Sequence, residues 1–470
     1  MTPPKIPSQI PAETPRPAPD KTRLHHAEPQ QTGIGIIGCG YVFDHYMATL
    51  PQHRGLRVVG IADRDTARRD RAAAFWGLRA VADSAVLLAD PEVAIIVNLT
   101  SIGSHAEVTR AALMAGKHVY SEKPFVPDLA EARALIDLAE ARGLRIGCAP
   151  SNALSPTAQT LWKAVNDGTV GDVRLVYAEF DDNPIYLMAP EGWRSRSGAP
   201  WPYLHEYEMG CTWEHVGYHL TWMCAIFGPV RAVTAFSRRI LPDKTDQPLT
   251  PSDTPDFSVA CLEFESGVVG RVTCSIAAPY DHRMRIFGNR GMLHSDTYRH
   301  YECPVYLETF GKLNLNARKA RTVRASTLLS WMFGIGGRRL PLMRPAVPGG
   351  QAPTDLGAGA GRGLRGWLNR LKRRQLGQQD KSLGIAELAA AIAEGRPQFP
   401  AHDFTLHLTE LTLAIQGAGR AGAAQVLTTR FDPPSLPEAS RRTAPDYARF
   451  ARHSLAERLS ARLLDRMHRP

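Results

Sequence analysis

The first third of the chain alternates short apolar runs with longer stretches of helical periodicity. The apolar runs predict buried strands, because they are rich in aliphatic and β-branched residues and end at glycine or polar positions. Helical stretches separate several of them, and one stops at Gly116. This order predicts a parallel sheet with helices on both faces. The predicted strands are 33–37, 56–62, 93–100, 118–120 and 144–148, and the clearest helices are 106–115 and 129–141.

A different pattern begins near residue 151. Segments 257–264, 267–276 and 284–287 are rich in β-branched and aromatic residues, and turn sequences at 265–267 and 288–291 separate them. Such spacing is typical of antiparallel strands. With a strand at 173–180 and helices at 158–165, 383–394 and 406–417, the pattern predicts an α+β domain whose sheet is mostly antiparallel.

These patterns divide the 470 residues into five segments. Residues 1–31 hold eight prolines and no apolar core of an export signal, which predicts a disordered leader. A domain of the Rossmann type follows at 32–150, and the α+β domain occupies 151–317 and 380–430. A basic insertion, 318–379, interrupts it. Residues 431–470 form a C-terminal tail with an arginine-rich helix.

Two glycines close the first predicted strand and point to a nucleotide. Gly38 and Gly40 let the backbone approach a pyrophosphate, and Tyr41 and Val42 begin the next helix, whose N–H groups attract anions. Phe43 departs from the pattern, because a third glycine is usual there.

The second strand ends at a carboxylate that suits NAD. Asp63 lies 23 residues after Gly40, a distance typical of a ribose-binding carboxylate. Arg64 follows directly and Arg68 and Arg69 lie close behind, and these can hold a 2′-phosphate. We therefore expect NAD as the cofactor, with NADP as an open alternative.

Polar residues follow the third and fourth strands. Ligands of open α/β sheets bind outside the carboxyl ends of the strands, so Thr100, His105, Glu122 and Lys123 should border one crevice. Pro124 holds Lys123 in an extended conformation. Lys123 is therefore a candidate catalytic lysine.

At these positions the sequence resembles the Gfo/Idh/MocA family of nicotinamide-dependent oxidoreductases, named for glucose-fructose oxidoreductase and inositol dehydrogenase. The resemblance implies that Lys123 contacts both the nicotinamide ribose and the reacting hydroxyl, and that Glu122 helps to hold the cofactor. It also implies an oligomer built on the open face of the second sheet. The matching elements are Gly38-Cys39-Gly40, Asn98-Leu99-Thr100, His105, residues 115–119 and Glu122-Lys123-Pro124.

A histidine pair provides the candidate for proton exchange. His215 and His219 are four residues apart and would share one helix face. By resemblance, with Gly210 and Gly217 aligned, His219 falls on the family's catalytic histidine and His215 on its usual aspartate. We therefore expect Lys123, His219 and His215 to act together, with Lys123 contributing more of the electrostatic stabilisation than in relatives that keep the carboxylate.

Two alternatives for the pair stay open. A zinc site could add Glu214, Glu208 or His205, but no third ligand has a recognisable metalloenzyme spacing, so we expect no metal. The histidines could instead be packed structurally. Upstream, Trp193, Arg194 and Tyr203 are candidate substrate contacts, in a segment that also holds Arg196 and Trp201.

Charge and cysteine content refine the picture. Seven cysteines without a CxxC pair favour a reducing cytoplasm, and no stretch is long and apolar enough to span a bilayer. The net charge is +10, yet residues 318–379 alone carry thirteen basic residues and one acidic residue. The remainder of the chain is close to neutral.

The insertion combines basic and apolar residues. Leu364, Trp367, Leu368 and Leu371 recur at helical spacing among arginines and lysines, and 327–335 adds a short apolar patch. This predicts peripheral binding to an anionic membrane surface, such as the inner membrane face. The alternatives are packing on a neighbouring subunit, with the charges solvated, and disorder of the glycine- and proline-rich stretch 345–363. We expect no nucleic-acid partner, because aromatic residues are not interleaved for stacking.

These observations predict an NAD(P)-dependent oxidoreductase that acts on CH–OH groups. We expect hydride transfer between the nicotinamide and a secondary hydroxyl or ketone of a sugar, a cyclitol or a sugar derivative. One alternative is non-redox chemistry, in which NAD oxidises a sugar transiently to permit elimination or glycosidic cleavage. Another is a cofactor-binding sensor or scaffold that docks through the basic insertion and has lost catalysis, which the histidine at the position of the family's usual aspartate would suggest.

Overall fold

Five parallel strands form the first sheet of this computed structural model, in the order β2-β1-β3-β4-β5. The structure describes residues 31–296, 302–311, 314–315, 317–343, 379–419, 422–437, 445–452, 458–459 and 462. The predicted leader, most of the C-terminal tail and the predicted helix around Leu364 to Leu371 lie outside these residues. The strands are β1 (Thr32–Ile37), β2 (Leu56–Ala62), β3 (Ile95–Asn98), β4 (His118–Ser121) and β5 (Ile146–Cys148).

Five helices follow the strands of this sheet or lie between them. Three of them begin at an aspartate whose side chain accepts a hydrogen bond from the first turn, namely Asp65, Asp83 and Asp128. Because the strand order reverses between β1 and β3, a crevice opens at their carboxyl ends. The helices are α1 (Phe43–Thr49), α2 (Thr66–Trp76), α3 (Ser84–Ala89), α4 (Ile102–Met114) and α5 (Leu129–Ala141).

The second sheet has nine strands, in the order β13-β12-β11-β10-β6-β9-β8-β7-β14. Every neighbouring pair is antiparallel except β6 with β9. The strands are β6 (Val173–Asp181), β7 (Val230–Arg238), β8 (Phe257–Phe264), β9 (Val269–Ser275), β10 (Met284–Gly288), β11 (Gly291–Ser295), β12 (Val305–Thr309), β13 (Arg338–Leu340) and β14 (Ala424–Val426).

Helices cover one face of this sheet and leave the other open. Residues of β8 and β10 alternate between buried and more exposed positions, as expected for a sheet with a single packed face. Trp222 and Met223 lie in the core between the helices and the sheet. The helices are α6 (Pro156–Asn166), α7 (Tyr203–Met209), α8 (Cys211–His215), α9 (Gly217–Phe227), α10 (Ala317–Arg324), α11 (Thr327–Phe333), α12 (Leu383–Ala393) and α13 (His402–Gln416).

The predicted fold class, a Rossmann domain with a mostly antiparallel second domain, is confirmed. Helix α12 differs from the expected assignment to the second domain, because Ile385 and Leu388 pack in the core of the first sheet. Gly384 permits this contact, since a Cβ there would lie 2.2 Å from the Tyr120 hydroxyl. Among the helices that the structure describes, none is long and apolar enough to cross a bilayer.

Candidate active site

A large cleft of about 1130 Å³ opens beyond the carboxyl ends of the parallel strands. Its wall includes the loops after β1, β2, β3 and β4 and reaches α7, α8 and α9 of the second domain. This is the crevice in which open α/β sheets bind their ligands. The predicted site residues fall into two groups, one at the turn after β1 and one around Lys123.

The turn after β1 is shaped for a phosphate group. Gly38 has a φ of 101°, and a Cβ there would lie 2.5 Å from the carbonyl oxygen of Leu99, so only glycine fits. At Gly40 a Cβ would meet nothing within 4 Å, because this position faces the cleft. Tyr41 and Val42 line the cleft at the start of α1. The backbone can therefore approach a pyrophosphate closely.

Phe43 occupies the position where a third glycine is usual. Its side chain is fully buried in the core that also holds Ile34 and Ile36, and α1 begins at this residue. The helix therefore gains a hydrophobic anchor on the sheet at this point.

Asp63 connects the second strand to the glycine turn. Its Oδ2 accepts a hydrogen bond from the Cys39 N–H at 2.8 Å, and its Oδ1 accepts one from the Asp65 N–H at 2.8 Å. Arg68 donates to Asp65 at 3.1 Å and lies 3.7 Å from Asp63, whereas Arg64 donates to Ser104 at 3.3 Å. Because carboxylates already neutralise Arg68, this end of the cleft suits ribose hydroxyls better than a 2′-phosphate.

His105 holds together the loops that follow β3 and β4. Its Nδ1 lies 2.9 Å from the carbonyl oxygen of Pro124, and its Nε2 lies 3.2 Å from that of Thr100. Burial lowers the pKa of His105, so the ring is neutral near pH 7. Both Thr100 and His105 line the cleft. His105 therefore holds the loop that carries Lys123 against the loop that follows β3.

Lys123 is paired with a carboxylate that the sequence did not indicate as its partner. Its Nζ lies 2.5 Å from Glu214 Oε2 and 2.8 Å from the Glu214 carbonyl oxygen. Burial opposes the charge of Lys123, but Glu214 and other nearby acidic groups outweigh it and raise the lysine pKa above its usual value. Lys123 is therefore a permanent cation in the wall of the cleft. We expected Lys123 to act beside His215 and His219, whereas its ionic partner is Glu214.

Glu122 is a buried carboxylate with a full set of partners. Its Oε1 accepts hydrogen bonds from Tyr46 at 2.9 Å and from Lys381 at 3.3 Å, and its Oε2 accepts one from the Lys123 N–H at 2.8 Å. Burial favours the protonated acid, but Lys381 and Lys123 outweigh it and lower the pKa of Glu122. This ionised group fixes Lys381 and the backbone of Lys123.

Lys381 and Tyr218 complete the polar group in the cleft, and the sequence analysis missed both. Lys381 Nζ lies 3.1 Å from the Tyr218 hydroxyl oxygen, and Lys123 Nζ lies 6.0 Å from the centre of the Tyr218 ring. The Tyr218 ring stacks on Phe180, with centroids 5.5 Å apart and planes at 8°. The phenol is thus held rigidly beside two ammonium groups. Glu214 and Tyr218 are four residues apart, and this helical spacing was the signal in the sequence that could have placed both on the same wall.

His219 lies behind the cleft wall and is fully buried. Its Nε2 lies 2.6 Å from the carbonyl oxygen of Glu179, and its Nδ1 accepts a hydrogen bond from the Trp222 indole at 2.8 Å. Burial, reinforced by nearby His282, lowers the pKa of His219 to about 3. A neutral imidazole with both nitrogens engaged cannot exchange a substrate proton. The structure therefore disagrees with the predicted role of His219.

His215 does line the cleft, as predicted for a residue of the site. Its Nε2 lies 3.8 Å from Glu206 Oε2 and 4.0 Å from Asp182 Oδ2, and its ring lies against Phe180. His215 therefore belongs to an acidic part of the wall. Within the described residues, no group of three or more histidine, cysteine or acidic side chains is arranged to hold a metal ion.

The three predicted substrate contacts have different positions. Trp193 lines the cleft and packs against Trp201, with ring centroids 4.9 Å apart. Arg194 is exposed outside the wall and donates to the carbonyl oxygens of Glu191 and Trp193. Tyr203 packs against Tyr207 instead of the cleft. The structure therefore brings only Trp193 of this set to the cleft.

Two family models match this chain. One describes an oxidoreductase family with an NAD-binding Rossmann fold and matches residues 32–149. The other describes a GFO/IDH/MocA C-terminal domain and matches residues 158–294. The chain belongs to the GFO/IDH/MocA oxidoreductase family. This GFO/IDH/MocA protein is an NAD(P)-dependent oxidoreductase acting on hydroxyl groups, and NAD is its cofactor.

Two sequence relatives and one solved structure show what this GFO/IDH/MocA chain is similar to. A trans-1,2-dihydrobenzene-1,2-diol dehydrogenase from Bos taurus is 27% identical over 264 residues, which is 55% of this chain and 72% of the relative. An inositol 2-dehydrogenase from Gluconacetobacter diazotrophicus is 35% identical over 150 residues, 31% of this chain and 44% of the relative. A solved levoglucosan dehydrogenase shares the fold, with a TM-score of 0.63 and 19% identity over 85% of this chain and all of that one.

Proposed function

We propose that this protein transfers hydride between NAD and a secondary hydroxyl or ketone of a sugar, a cyclitol or a sugar derivative, with Lys123 and Tyr218 as its catalytic residues. The observation that carries the proposal is the group formed by Lys123, Tyr218 and Lys381 in the wall of the cleft. A bound nicotinamide supplies or accepts the hydride in this chemistry.

In the reductive direction, the carbonyl oxygen of the substrate takes a proton as its carbon takes hydride. Tyr218 donates that proton from its phenolic oxygen. Lys123, held by Glu214, donates a hydrogen bond to the same substrate oxygen and stabilises negative charge that develops on it. Lys381 stabilises the phenolate left on Tyr218. Oxidation of the alcohol is the reverse of these steps.

The acidic part of the wall favours neutral or amino sugars over sugar acids and sugar phosphates. Asp182 and Glu206 line the cleft beside His215. Among the described residues that line the cleft, the arginines are Arg64 and Arg68, which lie at the Asp63 end. The negative charge of a sugar acid or sugar phosphate bound beside Asp182 and Glu206 would be repelled by these two carboxylates. The face of Trp193 offers a flat apolar surface for a sugar ring.

The alternatives of non-redox sugar chemistry and of a non-catalytic sensor gain no support from the comparisons. The sequence argument for lost catalysis was the histidine at the position of the usual aspartate. Glu214 supplies a carboxylate to Lys123 from the preceding residue, so that argument no longer applies.

The same proposal includes a homo-oligomer and a cytoplasmic location. Leu175 of β6 and Val269 of β9 are register partners, and both are partly exposed on the second sheet. Exposed apolar residues on an otherwise polar face of this kind suit contact with another copy. All seven cysteines lie in the described part of the chain as free thiols, which suits a reducing compartment.

A screen of substrates with NAD⁺ tests the proposed function. Neutral polyols, cyclitols and amino sugars are each incubated with the full chain and NAD⁺. The amount of NADH formed at equilibrium is measured by its absorbance. We expect NADH formation with members of this set and little with uronic acids or sugar phosphates. Conversion of a sugar without NADH formation would favour the non-redox alternative, and a preference for anionic sugars would contradict the proposed substrate class.

A further inference from the structure

The basic insertion begins with two helices that carry exposed apolar and cationic side chains together. Of the sixteen large hydrophobic residues that are exposed in the described part of the chain, four lie within five positions of α11, namely Leu328, Leu329, Trp331 and Met332. The Trp331 side chain is 79% exposed, and α11 buries none of its residues. Scattered exposed residues are common, but a cluster of this kind indicates a binding surface.

Cationic residues accompany this cluster on the preceding helix. Arg318, Arg321 and Arg324 recur at three-residue spacing along α10, and all three are exposed. Residues 317–343 contain six basic residues and no acidic one. We call the exposed side chains of Arg318, Arg321, Arg324, Leu328, Trp331 and Met332 the α10–α11 surface.

The α10–α11 surface stands on a fixed base. Ala320 and Ile335 are buried, and the Gly336 N–H donates to Glu308 Oε2 on β12 at 3.1 Å. Ser326 caps α11 by accepting a hydrogen bond from the Leu329 N–H at 3.3 Å. Helices α10 and α11 are therefore anchored near the edge of the second sheet. The exposed apolar residues of α11 are directed away from the protein.

We propose that the α10–α11 surface docks the enzyme on an anionic lipid bilayer. Tryptophan, leucine and methionine enter the boundary between headgroups and acyl chains, and the adjacent arginines pair with anionic headgroups. Seven residues of α11 are too few to span a bilayer, so the contact is peripheral.

Charge decides between the bilayer and other occupants. In a symmetric contact between two copies, the α10–α11 surface would face itself, and the arginine rows would repel one another. Nucleic acid would pair with the arginines and stack on Trp331, but it would leave Leu328 and Met332 without an apolar partner. An anionic bilayer satisfies both the apolar and the cationic residues.

The test is flotation of the full chain with vesicles of phosphatidylcholine, alone or mixed with phosphatidylglycerol. We expect binding to the mixed vesicles, and a loss of about fivefold or more in Leu328→Ser/Trp331→Ser and in Arg318→Gln/Arg321→Gln. Val426→Ser and Arg174→Gln are matched controls, because Val426 is 75% exposed and Arg174 is 71% exposed elsewhere on the surface. Both controls should float like the parent chain.

Three results would overturn the docking proposal. One is equal flotation of the parent chain and both double variants at unchanged thermal stability. Another is binding that is the same with and without phosphatidylglycerol. In the third, the parent chain does not bind vesicles of either kind. Instead, Leu328→Ser/Trp331→Ser changes the oligomeric state, or Arg318→Gln/Arg321→Gln removes bound nucleic acid. None of these results bears on NADH formation, so the proposed catalytic function stands or falls separately.

Discussion

The ammonium group of Lys381 lies 3.1 Å from the phenolic oxygen of Tyr218. Lys381 also contacts Glu122, which accepts a hydrogen bond from the Lys123 backbone, so the candidate acid–base residue and the candidate catalytic lysine belong to one network. The network joins both domains, because Tyr218 lies in α9 and Glu122 follows β4. A change at any member should therefore affect both chemistry and stability.

Removing the charge of Lys381 should destabilise the fold. In Lys381→Met the buried Glu122 carboxylate loses a partner, and we expect the free energy of unfolding to fall by about 3 kcal/mol, typical of a broken buried ion pair. Urea denaturation measures this change. Glu122→Gln combined with Lys381→Met should recover part of the stability without recovering turnover, because the Tyr218 hydroxyl still lacks the Lys381 ammonium group. If the losses in unfolding free energy of the two single variants simply add in the double variant, the coupling between Glu122 and Lys381 is contradicted.

Glu214→Gln should shift the alkaline limit of activity. Although burial opposes the charge of Lys123, Glu214 and its neighbours raise the pKa of that lysine, so it stays protonated beyond the ordinary range of a lysine. Without the Glu214 charge the pKa falls, and kcat/KM should begin to decline at a lower pH than in the parent enzyme. Glu263→Gln is the control, because that carboxylate pairs with Arg231 on the second sheet and is not among the groups that act on Lys123. An unchanged alkaline limb in Glu214→Gln would contradict the assigned pairing.

The cofactor end of the cleft should prefer NADH to NADPH. Asp63 faces the cleft, and Arg68 is already engaged by Asp63 and Asp65. We expect the dissociation constant of NADH to be at least about tenfold lower than that of NADPH, which is equivalent to about 1.4 kcal/mol of binding free energy. Asp63→Ser should reduce this preference, whereas Arg142→Ser should preserve it, because Arg142 is not among the residues that line the cleft and contacts Met114 instead. Titration calorimetry measures both, and tighter binding of NADPH by the parent chain would argue against NAD as its cofactor.

His219 should make stability depend on pH in the acidic range. Its pKa is lowered from 6.5 to about 3 in the folded protein, so the unfolded chain binds more protons between these values. Stability from this group is complete above pH 6.5 and is lost as the pH falls toward 3. We expect His219→Gln to be less stable than the parent at pH 7 but to lose less stability between pH 6.5 and 4.5. Melting temperatures across this range check the prediction, and equal losses would contradict it.

Much of the fold follows from local pattern. The alternation of apolar runs and helices predicts the first sheet, because parallel strands covered on both faces are continuously apolar, and Gly38 and Asp63 carry recognisable spacing. Helix α12 was assigned to the wrong core because its packing on Tyr120 depends on a contact between residues far apart in sequence.

The histidine pair shows why the site was harder to predict than the fold. Aligning the glycines selected His215 and His219 as the residues facing the substrate, but the chain changes from α8 to α9 at Val216. Glu214 and Tyr218 line the cleft, whereas His219 points into the core. Lys381 follows a long insertion, so no local spacing relates it to Lys123. Only the folded structure brings these groups together.

The most direct test of the catalytic assignment compares Tyr218→Phe with His219→Gln in single-turnover NADH formation, using a substrate found in the NAD⁺ screen. NADH binding, measured by fluorescence, serves as the control for an intact cofactor site in both variants. We predict that Tyr218→Phe lowers the rate of hydride transfer by about 100-fold or more, as expected for loss of an acid–base group, while His219→Gln changes it less than about tenfold. A near-normal rate in Tyr218→Phe together with a large loss in His219→Gln would contradict the assignment of Tyr218.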